Sequence, residues 1–249
     1  MRLIRLYCDP KAMALDAGFE GELDSRNAHY LKNVLRVRAG QKLELFDGLG
    51  KEYSANVSVV ERRKVEIQVG DLISRDVSSE SPLDICLAIG ISKGERMDWV
   101  MQKSTELGVN RICPLKTQRC EVKLDEQRLN KKLEHWKSVV ISASEQSYRS
   151  KIPDIAISHT FTDFVNSTSS DLSLVFDPMG KPLDKIATDL AKPKSITVAI
   201  GPEGGFTDAE LNVACDSGYE LCVFGPRILR TETAPVACLA VLQHLWGDC

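Results

Sequence analysis

Over the first seventy or so residues, apolar and polar positions alternate in short runs, the spacing of half-buried strands. Leu3 to Tyr7, Lys42 to Phe46, Tyr53 to Val60 and Lys64 to Val69 each read as a strand. Asp47-Gly48-Leu49-Gly50 reads as the turn between the second and third. One helical pattern interrupts them. Ser25 is placed to cap a short helix running to about Leu35, with Ala28, Leu31, Val34 and Leu35 on one face. Several short strands with one helix predict a small barrel. The run Ser74-Arg75-Asp76-Val77-Ser78-Ser79-Glu80-Ser81-Pro82 is polar, lacks periodicity and reads as a linker.

From Leu83 the pattern changes to strands alternating with helices. Leu83 to Ile91 is a nearly unbroken apolar run, as in a strand buried on both faces. Glu95 to Leu107 is amphipathic, with Met97, Val100, Met101, Ser104 and Leu107 inward and Gly108 ending it. Arg111 to Leu115 is the next strand, and Asp125 to Ser147 is mostly helical. Leu172 to Phe176 and Ser195 to Ile200 are strands separated by a helix near Leu183 to Leu190. Thr207 and Glu210 form a capping box for a further helix. Leu221 to Phe224 is a strand, and Thr231 to Trp246 a last helix with Pro235 in its first turn. This order predicts an α/β domain on a mostly parallel sheet, whose ligands bind beyond the carboxyl ends of the strands. Two Gly/Pro turns fall there, Ala199-Ile200-Gly201-Pro202-Glu203-Gly204-Gly205-Phe206 and Phe224-Gly225-Pro226-Arg227-Ile228-Leu229-Arg230-Thr231-Glu232-Thr233-Ala234. Backbone N–H groups at such turns suit a nucleotide or a carboxylate. A tight connection that needs positive φ explains the first turn equally well.

Composition adds bounds. The 249 residues fit one large domain or two ordinary ones, and 43% hydrophobic with 27% charged residues is globular. No apolar run approaches the roughly 18 residues of a membrane span, and Met1 to Tyr7 lacks a signal-peptide core. Eight cysteines include no C-x-x-C pair, so buried free thiols in a reducing cytoplasm are expected, and no metal site. A net charge of −3 argues against nucleic-acid binding by bulk charge alone. Locally, Arg26, Lys32, Arg36, Arg38 and Lys42 fall in a stretch without acids, which suits phosphates as well as it suits a solvated helix face.

Familiar chemistries drop out. Gly48-Leu49-Gly50 is a hairpin turn rather than a dinucleotide fingerprint, and no P-loop or G-x-S-x-G elbow occurs. The four histidines lie far apart; His29 and His135 sit in polar helical stretches, and His159 and His244 suit capping or packing. Thr231 and Glu232 suit helix capping, and Lys103 with Glu106 an ordinary helix ion-pair face.

Taken together, the two Gly/Pro turns closely resemble the 16S ribosomal RNA uracil-N3 methyltransferases, of the knotted S-adenosylmethionine-dependent SPOUT class. The resemblance extends over nearly the whole chain, through His29-Tyr30-Leu31-Lys32-Asn33-Val34-Leu35-Arg36-Val37-Arg38, Ser92-Lys93-Gly94-Glu95-Arg96-Met97, Gln102-Lys103-Ser104-Thr105-Glu106-Leu107-Gly108-Val109 and Ser144-Glu145-Gln146-Ser147-Tyr148-Arg149. Cys120 stands where a serine is expected, a small departure. The resemblance implies a PUA-like RNA-binding β-barrel over residues 1–73, a linker over 74–82, and a SPOUT α/β methyltransferase domain with a deep trefoil knot over 83–249. It implies a cytoplasmic homodimer acting on the assembled small ribosomal subunit.

The same resemblance implies S-adenosylmethionine held by Phe176, Pro178, Ile200, Gly201, Pro202, Gly204, Gly205, Phe224, Gly225, Ile228, Leu229, Arg230, Thr233 and Ala234, with Asp177-Pro178-Met179-Gly180 as a third loop. The implied reaction is attack of uridine N3 on the cofactor methyl, with alignment supplying much of the catalysis. N3 carries a proton, so Arg230 is the candidate to stabilise developing charge and Glu203 or Glu232 to accept the proton. Arg2, Arg5, His29, Arg36, Arg38, Lys93, Arg96, Arg119, Gln146 and Arg149 are the candidate RNA contacts. Two competing readings are a SPOUT enzyme acting on other RNA and a non-catalytic RNA-binding factor. The front motifs oppose the first, and the two intact cofactor turns oppose the second.

Overall fold

The computed structural model describes residues 3–62, 64–75, 78–122, 125–157, 160–188 and 191–249. The chain divides into two compact units, Met1–Glu80 with Ser144–Ile152, and Ser81–Ala143 with Pro153–Cys249. Each has its own core.

The first unit contains β1 (Ile4–Tyr7), β2 (Glu20–Glu22), α1 (Ser25–His29), β3 (Lys42–Phe46), β4 (Glu52–Val60) and β5 (Val65–Leu72). They form one sheet in the order β1-β3-β4-β5-β2, parallel only between β1 and β3. Alternation places Leu43 and Leu45 of β3, Ala55 and Val57 of β4, and Val65, Ile67 and Val69 of β5 in a single core. The β3–β4 turn is held by Asp47, whose Oδ1 accepts from the Leu49 N–H at 2.7 Å and the Lys51 N–H at 3.0 Å. Gly48 and Gly50 supply the positive φ it needs.

The expected helix from Ser25 to Leu35 is two pieces. Asp24, not Ser25, caps α1, accepting from the Asn27 N–H. Tyr30–Val34 then forms a π turn, closed by Leu35 N–H to Tyr30 O at 3.1 Å. The wider turn rotates the apolar face: Leu31 is buried, whereas Val34 and Leu35 are exposed. Asn27 takes an inward place and donates to the Tyr7 carbonyl at 2.8 Å.

The second unit contains β6 (Asp84–Gly90), α2 (Arg96–Glu106), β7 (Arg111–Leu115), α3 (Glu126–Ser147), β8 (Asp154–Ile155), α4 (Phe161–Ser167), β9 (Leu172–Pro182), α5 (Leu183–Thr188), β10 (Ser195–Ile200), α6 (Asp208–Asp216), β11 (Glu220–Val223) and α7 (Thr233–Trp246). The last residues of α3, from Ser144, count with the first unit. The six strands form a sheet in the order β11-β9-β10-β6-β7-β8, every pairing parallel. The apolar runs of β6 and β10 are buried almost throughout, as their lack of alternation predicts. On α2, Met97, Val100, Met101 and Ser104 are buried, and Gly108 follows with φ +80°. The capping box of Thr207 and Glu210 is formed. The end of the helix expected near Leu183 to Leu190 lies outside the described residues, as do Arg2 and His159.

β9 departs from the reading that ended it at Phe176. Its ladder to β11 holds at Leu174 and Val175, breaks, and resumes at Lys181 and Pro182. Phe176–Gly180 therefore bulges out of a continuing strand. Gly180 sits at the return, where a Cβ would come within 2.5 Å of the Cys222 backbone.

All eight cysteines are free, and five of them are buried. Among the described residues no helix is long and apolar enough to cross a membrane, and no cluster of His, Cys, Asp and Glu suits a metal.

Candidate cofactor cleft and active site

Register brings the strand ends level. Ile200 of β10 lies beside Ile89 of β6 on one side and Phe176 of β9 on the other. Because these strands are parallel, their carboxyl ends share one edge, where ligands of open α/β sheets bind. A cleft of about 1170 Å³ occupies that edge.

Its first wall is Gly201–Phe206, between β10 and α6. Two close approaches fix it. A Cβ on Gly90 would lie 2.4 Å from the Pro202 ring and nitrogen, and a Cβ on Gly201 would lie 2.9 Å from the Gly205 backbone. Gly205 has φ +68° and donates to the Pro202 carbonyl at 2.8 Å. The tight-turn explanation of this segment is thus correct as far as it goes, and the turn still faces the cleft.

The second wall is Phe224–Ala234, between β11 and α7. The Arg230 carbonyl accepts from the Thr233 and Ala234 N–H groups at 2.8 and 3.0 Å, starting α7. Glu232 occupies the cap position without making a side-chain cap bond. The bulge Phe176–Gly180 forms the third wall. Phe176 and Phe224 approach with ring centroids 6.3 Å apart, and Ile228, which also lines the cleft, is 89% exposed.

Of the residues expected at the cofactor, all except Thr233 line the cleft, as do Glu203 and Glu232. The Arg230 guanidinium makes no ion pair among the described residues. Arg96 and Arg119, expected at RNA, also line the cleft. Arg119 donates to the Gly204 carbonyl at 3.1 Å, and Arg96 pairs with Glu203. Cys120, beside Arg119, bonds to the Ile91 carbonyl at 3.1 Å, and burial raises its thiol pKa.

The other expected RNA contacts divide. Arg36, with φ +53°, and Arg38 are exposed and make no ion pair among the described residues. His29 is exposed and bonded to Asn33, Gln146 is exposed, and Lys93 pairs with Glu121 at the surface. Arg5 and Arg149 are buried in the first unit at 5% and 2% exposure. Arg5 bonds to Glu52 at 2.7 Å and to the Arg149 carbonyl at 2.6 Å, and Arg149 bonds to Glu80 at 2.7 Å. Guanidiniums so occupied serve as scaffold and cannot reach a phosphate without being drawn out.

Sequence reasoning passed over Asp208, Leu211 and Asn212 of α6, which line the cleft together. Their i, i+3, i+4 spacing was the available signal, since such residues share a helix face.

The donor set fits S-adenosylmethionine. Aromatic and aliphatic side chains from Phe176, Phe224, Ile228 and Leu229 suit a purine. Gly201, where a Cβ would meet the Gly205 backbone, and Gly205 and Gly225, with positive φ, bring bare backbone to the cleft, and Asp177, Asp208 and Asn212 offer polar contacts.

A parallel sheet with such a cleft defines an α/β ligand-binding domain, and comparison makes the class specific. Residues 79–243 match the family model of the RNA methyltransferase domain, and residues 23–70 match that of the RNA methyltransferase PUA domain. A relative from Bacillus subtilis named ribosomal RNA small subunit methyltransferase E is 31% identical, with 89% of each chain covered. Two solved structures are similar throughout. One is a putative methyltransferase from Legionella pneumophila in complex with bound S-adenosylmethionine, with TM-score 0.93, 38% identity and 100% of both chains covered. The other is a ribosomal RNA small subunit methyltransferase E from Neisseria gonorrhoeae bound to S-adenosylmethionine, with TM-score 0.89, 37% identity and 99% of both chains covered. The chain belongs to the ribosomal RNA small subunit methyltransferase E family.

Proposed function

We propose that this protein methylates N3 of a uridine in 16S ribosomal RNA, using S-adenosylmethionine held in the cleft. The observation that carries the reading is the cleft itself: three loops at one sheet edge, lined by Arg230, whose guanidinium makes no ion pair among the described residues. The cofactor supplies a methyl group already activated by its sulfonium, so no metal is needed. The N3–CH3 bond forms as the S–CH3 bond breaks, and the proton leaves N3. Arg230 faces the negative charge that develops on the uracil as that proton departs. Glu203 or Glu232 is the carboxylate that accepts it. The walls exclude water and align N3 with the methyl.

RNA is held through the exposed cations Arg36 and Arg38 with His29 and Gln146, which fix register on phosphates and sugars. The reading extends to a PUA-like barrel closed over residues 1–73, a linker over 74–82 and a knotted domain over 83–249. The strand order supports the knot: β11 lies beyond β9, while α7, which follows it, packs on α2. It further includes a homodimer, the cytoplasm and the assembled small subunit as substrate. The test is methyl transfer from labelled cofactor to unmethylated small subunits, followed by nucleoside analysis. N3-methyluridine is expected; label in another nucleoside, or none, overturns the reading.

A further inference from the structure

Two walls of the cleft, 201–206 and 224–234, are separated by a strand and a helix in sequence. One side chain touches both. Arg96 opens α2, and the residues just inside it, Met97 and Val100, are buried and anchor the helix. The Arg96 Nη1 donates to Glu203 Oε1 of the first wall. Its Nε lies 3.7 Å from Glu232 Oε2 of the second. That Glu232 oxygen is out of solvent and accepts no hydrogen bond among the described residues, and Glu232 makes no cap bond to α7. Arg96 is therefore the cation that faces a buried carboxylate oxygen, and an uncompensated charge there would be costly. A guanidinium suits the position because its nitrogens point in fixed, divergent directions, whereas an ammonium is a single point charge.

From these contacts we propose that Arg96 is a positioning residue, a strap that holds the two walls of the cofactor cleft at a fixed separation. It is not a phosphate ligand. This deepens the methyltransferase reading and rests on it for the identity of the ligand. By limiting how far the walls move apart in the free protein, the strap reduces the ordering that cofactor binding must impose. Arg119 differs, since it donates only to Gly204 of the first wall.

The test compares wild type with Arg96→Ala, Arg96→Lys, Arg119→Ala and Glu232→Gln. Hydrogen exchange is measured without cofactor, together with calorimetric affinity for S-adenosylmethionine. In Arg96→Ala, amides of both walls are expected to exchange faster together, and affinity to fall about five- to tenfold, the scale of a partly buried ion-pair network. Arg119→Ala loosens the first wall alone. Arg96→Lys restores the first wall but not the second. Combining Arg96→Ala with Glu232→Gln adds less than the sum of the two, as for partners in one contact.

The strap is overturned if Arg96→Ala leaves exchange in both walls and cofactor affinity unchanged. It is equally overturned if that variant instead lowers RNA affinity and reduces its salt slope by about one, the mark of a lost phosphate contact. Exposed Glu203 keeps the test open should Arg96→Ala fail to fold, because Glu203→Gln must then loosen the first wall and weaken cofactor binding. Wild type that binds no S-adenosylmethionine defeats the methyltransferase reading, while the exchange data still decide the strap.

Discussion

In the first unit, Arg5 and Arg149 keep 5% and 2% of their surface and are surrounded by Glu44, Glu52 and Glu80. In the second, Arg96, Arg119 and Arg230 stand exposed around the cleft. The same residue type is buried scaffold in one region and lines an open cleft in the other. Burial, not identity, separates the two. Arg5 also stacks over Phe46, with its guanidinium carbon 4.2 Å from the ring centroid, and burial lowers its pKa against the pull of Glu52 and Glu44. A guanidinium buried in this way is out of reach of RNA.

The sharpest way to break this contrast is Arg5→Ala. It strands Glu52 beside Arg75 alone and empties the bonds to the Ser144 and Arg149 carbonyls. Loss of a partner from a buried ion pair costs about 3–5 kcal/mol, so urea unfolding should shift by that order. A phosphate ligand would behave oppositely, with stability retained and RNA affinity lost.

Arg230→Ala is the next largest effect. Among the described residues its guanidinium makes no ion pair to lose, so folding should be kept and cofactor affinity should fall far less than turnover. Turnover should fall by about 10²–10³, the usual consequence of removing one donor from developing charge. Single-turnover rates and calorimetry separate the two. Equal loss of both would place Arg230 in the wall rather than in the chemistry.

Reversal of the exposed pair, Arg36→Glu with Arg38→Glu, tests the first unit's other face. The logarithmic salt dependence of RNA binding should flatten by roughly 0.7–0.9 for each lost phosphate contact, with cofactor affinity unchanged. An unaltered slope would leave the first unit with no cationic contact at this site.

Period and punctuation carried most of the fold. The unbroken apolar runs of β6 and β10 announced strands buried on both faces, and the Thr207–Glu210 box announced α6. Two walls of the cleft were legible as Gly/Pro turns at strand ends, and the resemblance supplied the ligand and the third wall. The π turn at Tyr30–Val34 was not legible, since one extra residue per turn leaves the helical pattern intact while turning Val34 outward. The resemblance implied a loop at Asp177–Gly180, but the return of β9 at Lys181 and the fate of each arginine were hidden. Both depend on partners far along the chain: Cys222 for Gly180, Glu52 for Arg5 and Glu80 for Arg149.

Glu145 gives the smallest and most discriminating effect, because it joins both habits in one residue. Its carboxylate accepts from the Tyr7 N–H at 3.1 Å and pairs with half-exposed Arg26 at 3.2 Å. Burial nevertheless raises its pKa, outweighing the opposing pull of Arg26 and the Tyr7 bond. A carboxyl whose folded pKa is raised holds its proton more tightly in the folded state. Its contribution to stability is therefore fully present below the unfolded carboxylate range, and is lost as pH rises through the folded value. Glu145→Gln keeps an acceptor for Tyr7 and removes the titration. The variant should consequently gain stability relative to wild type as pH is raised from about 4 to 7, near the unfolded glutamate value and above it. Urea unfolding of both proteins across that range reads the difference directly. A variant that instead loses ground with rising pH would show that the Arg26 pair outweighs burial, and that this carboxylate is held as an ion like those around Arg5.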